Sequence, residues 1–316
     1  MIKYYIKESG ILKQIDTLKP SCWAFIAPPF ELNELETLAE EQSIPLDFLT
    51  DPLDINEKSR YEREENVRLI IFNTPLLNET EKETDAIYVT VPIGIVLTAD
   101  NIFTITNFDN PVLEKFLASK VKNFDPADEK MFVLKLFEQT VYRFLECLKK
   151  LNLKKNLIEQ ELYNSSRNEE LQQLLRIEKS LVYFVNSLSD NDLLKMKIKR
   201  TDFLQIRDLE DHSDLFEDII IDCNQATEMS NVYTNILGST MEAYASIISN
   251  NLNVFIQRLT VVTIILMVPT LVASFYGMNL KSLPFQDHPG AFYLLLLGSV
   301  ILGLLLIWFF RRKKLF

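Results

Sequence analysis

The sequence predicts an α/β domain, then a long helical stalk, then two C-terminal helices that cross a membrane. Three observations carry this. Strand-like runs rich in β-branched and aromatic residues are confined to the first third of the chain. From about residue 126 the pattern becomes helical and charged. Near the end, Leu259 to Leu280 and Pro289 to Phe310 hold no charged residue, and each is about the 20 residues a helix needs to cross hydrocarbon.

In the α/β region, residues 1–125, the strand candidates are "CWAFIAPP", "NVRLIIFNTP", "DAIYVTVPIGIVLTAD" and "IFTITN", each broken by Pro, Asn or Asp. "ELNELETLAEEQSIP" reads as a helix with Leu32, Leu35 and Leu38 on one face, and the strand signal ends after "FDNPVLEKFLASK". Residues 126–212 read as two antiparallel helices joined at "NSSRN", Asn164 to Asn168, whose residues favour turns and caps. Residues 213–279 read as one helix that opens near Ser213 and Asp214 and continues into the first span. At about 60 residues, or about 90 Å, it exceeds any globular helix. Pro269 falls inside the span, where a kink is tolerated. Residues 280–289 form a short loop, 290–310 the second span and 311–316 a basic tail.

The composition narrows the function. At 316 residues and 47% hydrophobic the chain holds ample core, and its net charge of −11 disfavours nucleic acid while favouring cations. Two histidines, no Gly-rich phosphate loop and no nucleophile elbow argue against an enzyme. Cys22, Cys147 and Cys223 are widely spaced and read as buried apolar residues, not as a zinc site. "MIKYYIKESG" lacks the pattern of a secretory signal. Arg258 precedes the first span, and Arg311, Arg312, Lys313 and Lys314 follow the second, so the positive-inside rule places both termini in the cytoplasm.

Along the first span, every third or fourth residue forms a narrow, partly polar stripe: Asn253, Ile256, Leu259 or Thr260, Thr263, Met267, Thr270 and Ser274, then Gly277 and Asn279 at the mouth. Two readings stand. The hydroxyls bond back to their own helix or a partner helix, or the stripe lines an aqueous path. Two spans cannot enclose such a path, so the second reading needs several copies around an axis, with the second span outermost.

"YGMN" at the outer end of the first of two C-terminal spans, with "SNNLNVFIQRLT" and "MVPTLVAS" before it and a basic tail behind, resembles the CorA family of divalent-cation transporters. The resemblance implies a funnel-shaped homopentamer in the cell (inner) membrane. Gly277, Met278 and Asn279 would form the outer selectivity ring, and Asn253, Leu259, Met267 and Thr270 fall on matching pore positions. Mg²⁺ dehydrates reluctantly, so a ring of neutral amides that accepts hydrogen bonds from its water shell suits it. Asn279 also suits a helix C-cap, and the two roles are compatible. Ile256, where the family often has methionine, would join Leu259 and Met267 in apolar constrictions.

The sequence departs from the family pattern beyond the motif. Acidic positions of the outer loop look filled by Lys281 and Phe285, leaving Asp287, which implies weaker capture of cations. By the same likeness Asp218, within "DLEDHSDLFED", and Asp51, in "LDFLTDPLD", match a pair that binds a regulatory cation between subunits. The acidic run also suits a solvated helix start. The ion expected is Mg²⁺, transported and regulatory, with Co²⁺, Ni²⁺ or Zn²⁺ as alternatives in the same architecture. A non-conducting, membrane-tethered scaffold is the remaining class, and it leaves "YGMN" unexplained.

Overall fold

A computed structural model describes residues 2–8, 10–79, 85–164, 168–278 and 289–313. The chain divides into two units, Met1–Ser239 and Thr240–Phe316. The first is built on one seven-stranded sheet: β1 (Ile2–Glu8), β2 (Ile11–Ile15), β3 (Trp23–Ile26), β4 (Arg60–Glu64), β5 (Val67–Leu77), β6 (Tyr88–Leu97) and β7 (Ile102–Ile105). The strand order is β2-β1-β3-β7-β6-β5-β4, and only β3 and β7 run parallel.

Strands β3, β7, β6 and β5, consecutive in the sheet, are the four runs that β-branched and aromatic content picks out. Strands β1, β2 and β4 lie toward the sheet edges. The β4 sequence, RYERE, has no apolar face and becomes a strand only because Arg60 to Glu64 pair with Ile71 to Val67. Beyond that pairing no strand lies on this side of β5 among the described residues, and the carboxamide of Asn191 pairs with it instead. Asn191 Oδ1 accepts from the Asn73 N–H at 3.0 Å, and its Nδ2 donates to the Asn73 carbonyl at 2.8 Å. Both asparagines are buried, so the substitution leaves neither backbone group unpaired.

One face of the sheet is covered by helices α1 (Leu32–Gln42) and α2 (Leu46–Thr50), whose Leu35, Leu38, Phe48 and Leu49 pack against Ala24, Ile26, Leu69, Ile71 and Phe103. Leu32, grouped with Leu35 and Leu38 by spacing, is instead 55% exposed. It is the first residue of the helix, so it lies off the end of the contact. A short 3-10 turn, Asp51–Leu53, follows α2. The opposite face carries an aromatic cluster in which Trp23 meets Phe116 of α3 (Pro111–Leu117), Phe124 and Phe132 of α4 (Glu129–Asn164). Trp23 Nε1 donates to Thr104 Oγ1 at 2.8 Å, which satisfies its polar end inside the core.

Helix α5 (Asn168–Thr201) packs on α4 through Phe144 and Phe184. The joint expected at Asn164 to Asn168 falls mostly on residues 165–167, outside the described residues. Helix α6 (Glu210–Tyr276) is 67 residues long and begins in the first unit, where Phe216 stacks on Phe137. It starts before the cap expected at Ser213, because the Leu209 carbonyl already accepts from the N–H groups of His212 and Ser213. Glu210 and Asp211 then occupy the first turn, where the helix dipole favours acids.

Candidate ion pathway and carboxylate sites

In the second unit α6 continues without interruption through Pro269 to Tyr276, and α7 spans Ala291–Arg312. Both are long and apolar enough to cross a membrane. Along this part of α6 the less exposed residues are Val261, Ile265, Val268, Val272 and Tyr276, at helical spacing. On α7 they are Leu295, Gly298, Ser299, Gly303, Leu306, Ile307 and Phe310. Val272 and Tyr276 line one groove together with Leu295 and Ser299, so these two faces meet.

The stripe singled out by sequence lies elsewhere. At 100° per residue, Ile256, Leu259, Thr263, Met267, Thr270 and Ser274 centre about 180° around α6 from the face toward α7. All six are exposed, as is Asn253, with Ile256 at 50%, Leu259 at 56% and Met267 at 54%. The chain therefore partly covers one face of α6 with α7 and leaves the stripe facing away from it. The hydroxyls are paired within the helix: Thr260 donates to the Ile256 carbonyl at 2.9 Å, Thr263 to Leu259 at 2.9 Å and Thr270 to Leu266 at 3.0 Å. With the proton directed inward, each oxygen keeps lone pairs that can accept from a donor on the exposed side.

Helix α6 closes at Gly277, whose N–H bonds to the carbonyls of Ala273 at 2.9 Å and Ser274 at 3.2 Å. A Cβ there would sit 3.3 Å from the Ala273 oxygen, somewhat tighter than ordinary contact. Met278 follows, 49% exposed. Asn279 lies outside the described residues, as do Lys281, Phe285 and Asp287. The last carbonyls of α6 give this end a partial negative charge, about half an elementary charge in the helix-dipole description.

The two carboxylates picked out for a regulatory cation sit on different elements of the first unit. Asp51 opens the 3-10 turn, and Asp218 is exposed on α6. No hydrogen bond or ion pair joins them among the described residues, nor do His, Cys, Asp or Glu residues there form a cluster able to hold a metal ion. Their oxygens are the hard donors that Mg²⁺ takes, so the chemistry fits while the geometry within one chain leaves the pair apart. Near Asp218, burial first, and then the charges of Glu138, Asp222 and Asp218, push the Tyr142 hydroxyl above its usual pKa.

Two residues at Asp51 escaped the sequence reading. Arg60 Nη2 donates to Asp51 Oδ2 at 2.5 Å. Burial opposes the guanidinium's charge, but the Asp51 hydrogen bond and the charges of Glu57 and Glu62 outweigh it, and its pKa rises. Gly94, in the middle of β6, lets the Pro52 ring rest on the strand: a Cβ at Gly94 would fall 2.7 Å from Pro52 Cβ and nearer still to Cγ. A glycine inside the apolar run "VPIGIVL" was the available signal of such a close approach.

Comparison with known proteins meets this geometry. The family model described as CorA-like Mg²⁺ transporter protein matches residues 22–312. The cobalt/magnesium transport protein CorA of Methanocaldococcus jannaschii is 29% identical over 283 residues, covering 89% of this chain and 87% of that protein. The magnesium transport protein CorA of Helicobacter pylori is 27% identical over 292 residues, covering 89% and 86%. The complete structure of the M. jannaschii CorA magnesium transporter superposes with a TM-score of 0.79 at 25% identity, covering 99% of this chain and 98% of that one. With an α/β unit, a helix running unbroken into the first of two C-terminal apolar helices, and a family match over nearly its whole length, the chain belongs to the CorA-like Mg²⁺ transporter family.

Proposed function

We propose that this protein carries Mg²⁺ across the cell membrane through a pore formed by copies of α6 around the axis of a homopentamer, driven by the ion gradient and the membrane potential. The observation that carries the reading is the division of faces on α6: α7 takes one, and the partly polar stripe is left on the other. In a bilayer an exposed row of threonines is best placed against water or neighbouring copies, so α7 belongs outside and the stripe inside. Arg258 before the first span, and Arg311, Arg312 and Lys313 after the second, favour cytoplasmic termini. The relatives' names speak for Mg²⁺, and the M. jannaschii name also for Co²⁺.

In this reading Gly277, Met278 and Asn279 form the outer ring, and the carbonyl end of α6 adds a field that draws cations to it. Asn279 amides accept hydrogen bonds from the hydrated ion, and Thr270 and Thr263 oxygens do so further in. Met267, Leu259 and Ile256 narrow the path with apolar side chains that empty of water when the pore is closed, and Asn253 lines its inner end. Asp51 of one subunit and Asp218 of the next share a regulatory Mg²⁺ that holds the closed state. When internal Mg²⁺ falls, the bridge between the two carboxylates is lost and the α6 helices are released.

Cysteine substitution tests the assignment of faces. The native background is silent, because Cys22, Cys147 and Cys223 are fully buried and burial pushes the Cys147 thiol up to about 11. Met267→Cys is expected to lose Mg²⁺ flux on treatment with a charged methanethiosulfonate, and Val268→Cys, on the α7 face, to keep it. Block at Val268 with none at Met267 would reverse the assignment.

A further inference from the structure

We infer that Arg60 is a built-in competitor for the cation at Asp51 and so sets the Mg²⁺ concentration at which the closed state forms; this rests on the assignment of Asp51 to the regulatory pair made above. The three edges of one guanidinium serve three carboxylates. Nη2 donates to Asp51 at 2.5 Å, Nε to Glu57 at 3.1 Å and Nη1 to Glu62 at 3.0 Å. One positive charge thus answers three negative ones, and the surplus favours an added cation.

A divalent ion on Asp51 would repel the guanidinium beside it, so the two cannot both occupy the carboxylate. Arg60 can yield without being stranded, since Glu57 and Glu62 still hold its other edges. Asp51, for its part, is never left bare when Mg²⁺ is scarce. The exchange is open to solvent, with the Arg60 and Asp51 side chains 32% and 34% exposed. Asp51 has little freedom to swing away, because Pro52 behind it is seated on Gly94. Planar, multi-edged binding of this kind is available to arginine and not to lysine.

The test is protection of the full-length protein from chymotrypsin during a titration with MgCl₂. Removing the competitor with Arg60→Gln is expected to lower the half-protection concentration by roughly threefold or more, the scale of a partly exposed ion pair. Arg63→Gln is the charge-matched control, since Arg63 lies on the same strand but donates to the Glu65 carbonyl at 3.3 Å. It is expected to leave the half-point in place. An unchanged half-point in Arg60→Gln, or an equal fall in Arg63→Gln, would overturn the inference. If Arg60→Gln fails to assemble, Arg60→Lys should shift the half-point downward by less, and no shift there overturns it equally. Asp51→Asn separates loss of the regulatory pair from loss of the competition. Protection unchanged in Asp51→Asn would dismiss the regulatory pair itself, whereas protection lost there but unmoved in Arg60→Gln would dismiss only the competition.

Discussion

Asn279→Ala is expected to abolish growth rescue of a bacterial strain that lacks its own Mg²⁺ transporters, with Mg²⁺ uptake reduced about tenfold or more. Tenfold is the floor, about the worth of one lost contact. Each amide that bonds a water on the ion makes a charge-assisted contact of about 1.5–3 kcal/mol, and a symmetric ring loses all of its copies at once. The substitution lies beyond the close of α6 at Gly277. Assembly should therefore be normal, and size-exclusion chromatography beside the growth assay separates a lost ring from a lost oligomer. Rescue equal to wild type would move the filter away from Asn279.

Gly94→Ala should be the most costly glycine-to-alanine change among the described residues of the first unit. The added Cβ meets the Pro52 ring, which is part of a turn and not the loose end of a side chain, so the strand or the turn must shift. Overpacking of this kind costs about 1–3 kcal/mol, which in a unit of this size lowers Tm by about 3–10 °C. The functional effect should exceed the loss of stability. Pro52 is joined directly to Asp51, so displacing the ring displaces the carboxylate, and Mg²⁺ protection against chymotrypsin should weaken even well below the new Tm. Full protection with an unchanged half-point would show that the turn's position does not matter to the sensor.

Much of the architecture was legible because its signals are long or sharply patterned. The four central strands are apolar runs of four to eleven residues, and α6 declares itself by length, by the absence of interior proline before Pro269, and by its uncharged end. The edge strands were not legible, for a physical reason. RYERE has no preference of its own for a sheet, and becomes β4 only through its register with β5. Asn191 is a similar case, since its value as a stand-in for a missing strand depends on a residue 118 positions away.

The stripe on α6 was visible as spacing, but spacing alone left two readings for its hydroxyls. The structure pairs Thr260, Thr263 and Thr270 to their own helix, so the first reading holds within one chain. The stripe nonetheless faces away from α7, so internal pairing and a path between copies are compatible. For the carboxylates, resemblance selected Asp51 and Asp218, whereas the grip of Arg60 on Asp51 appears only once β4 is folded beside the turn.

Conduction by this protein alone is decided by Mg²⁺ flux into proteoliposomes that contain nothing else, with internal Mg²⁺ chelated, a negative inside potential imposed, and Co²⁺ or Zn²⁺ offered as competitors. The expected result is uptake of Mg²⁺ that grows with the potential, is competed by Co²⁺ and stops as internal Mg²⁺ accumulates. Intact oligomer that carries no ion under these conditions would contradict it.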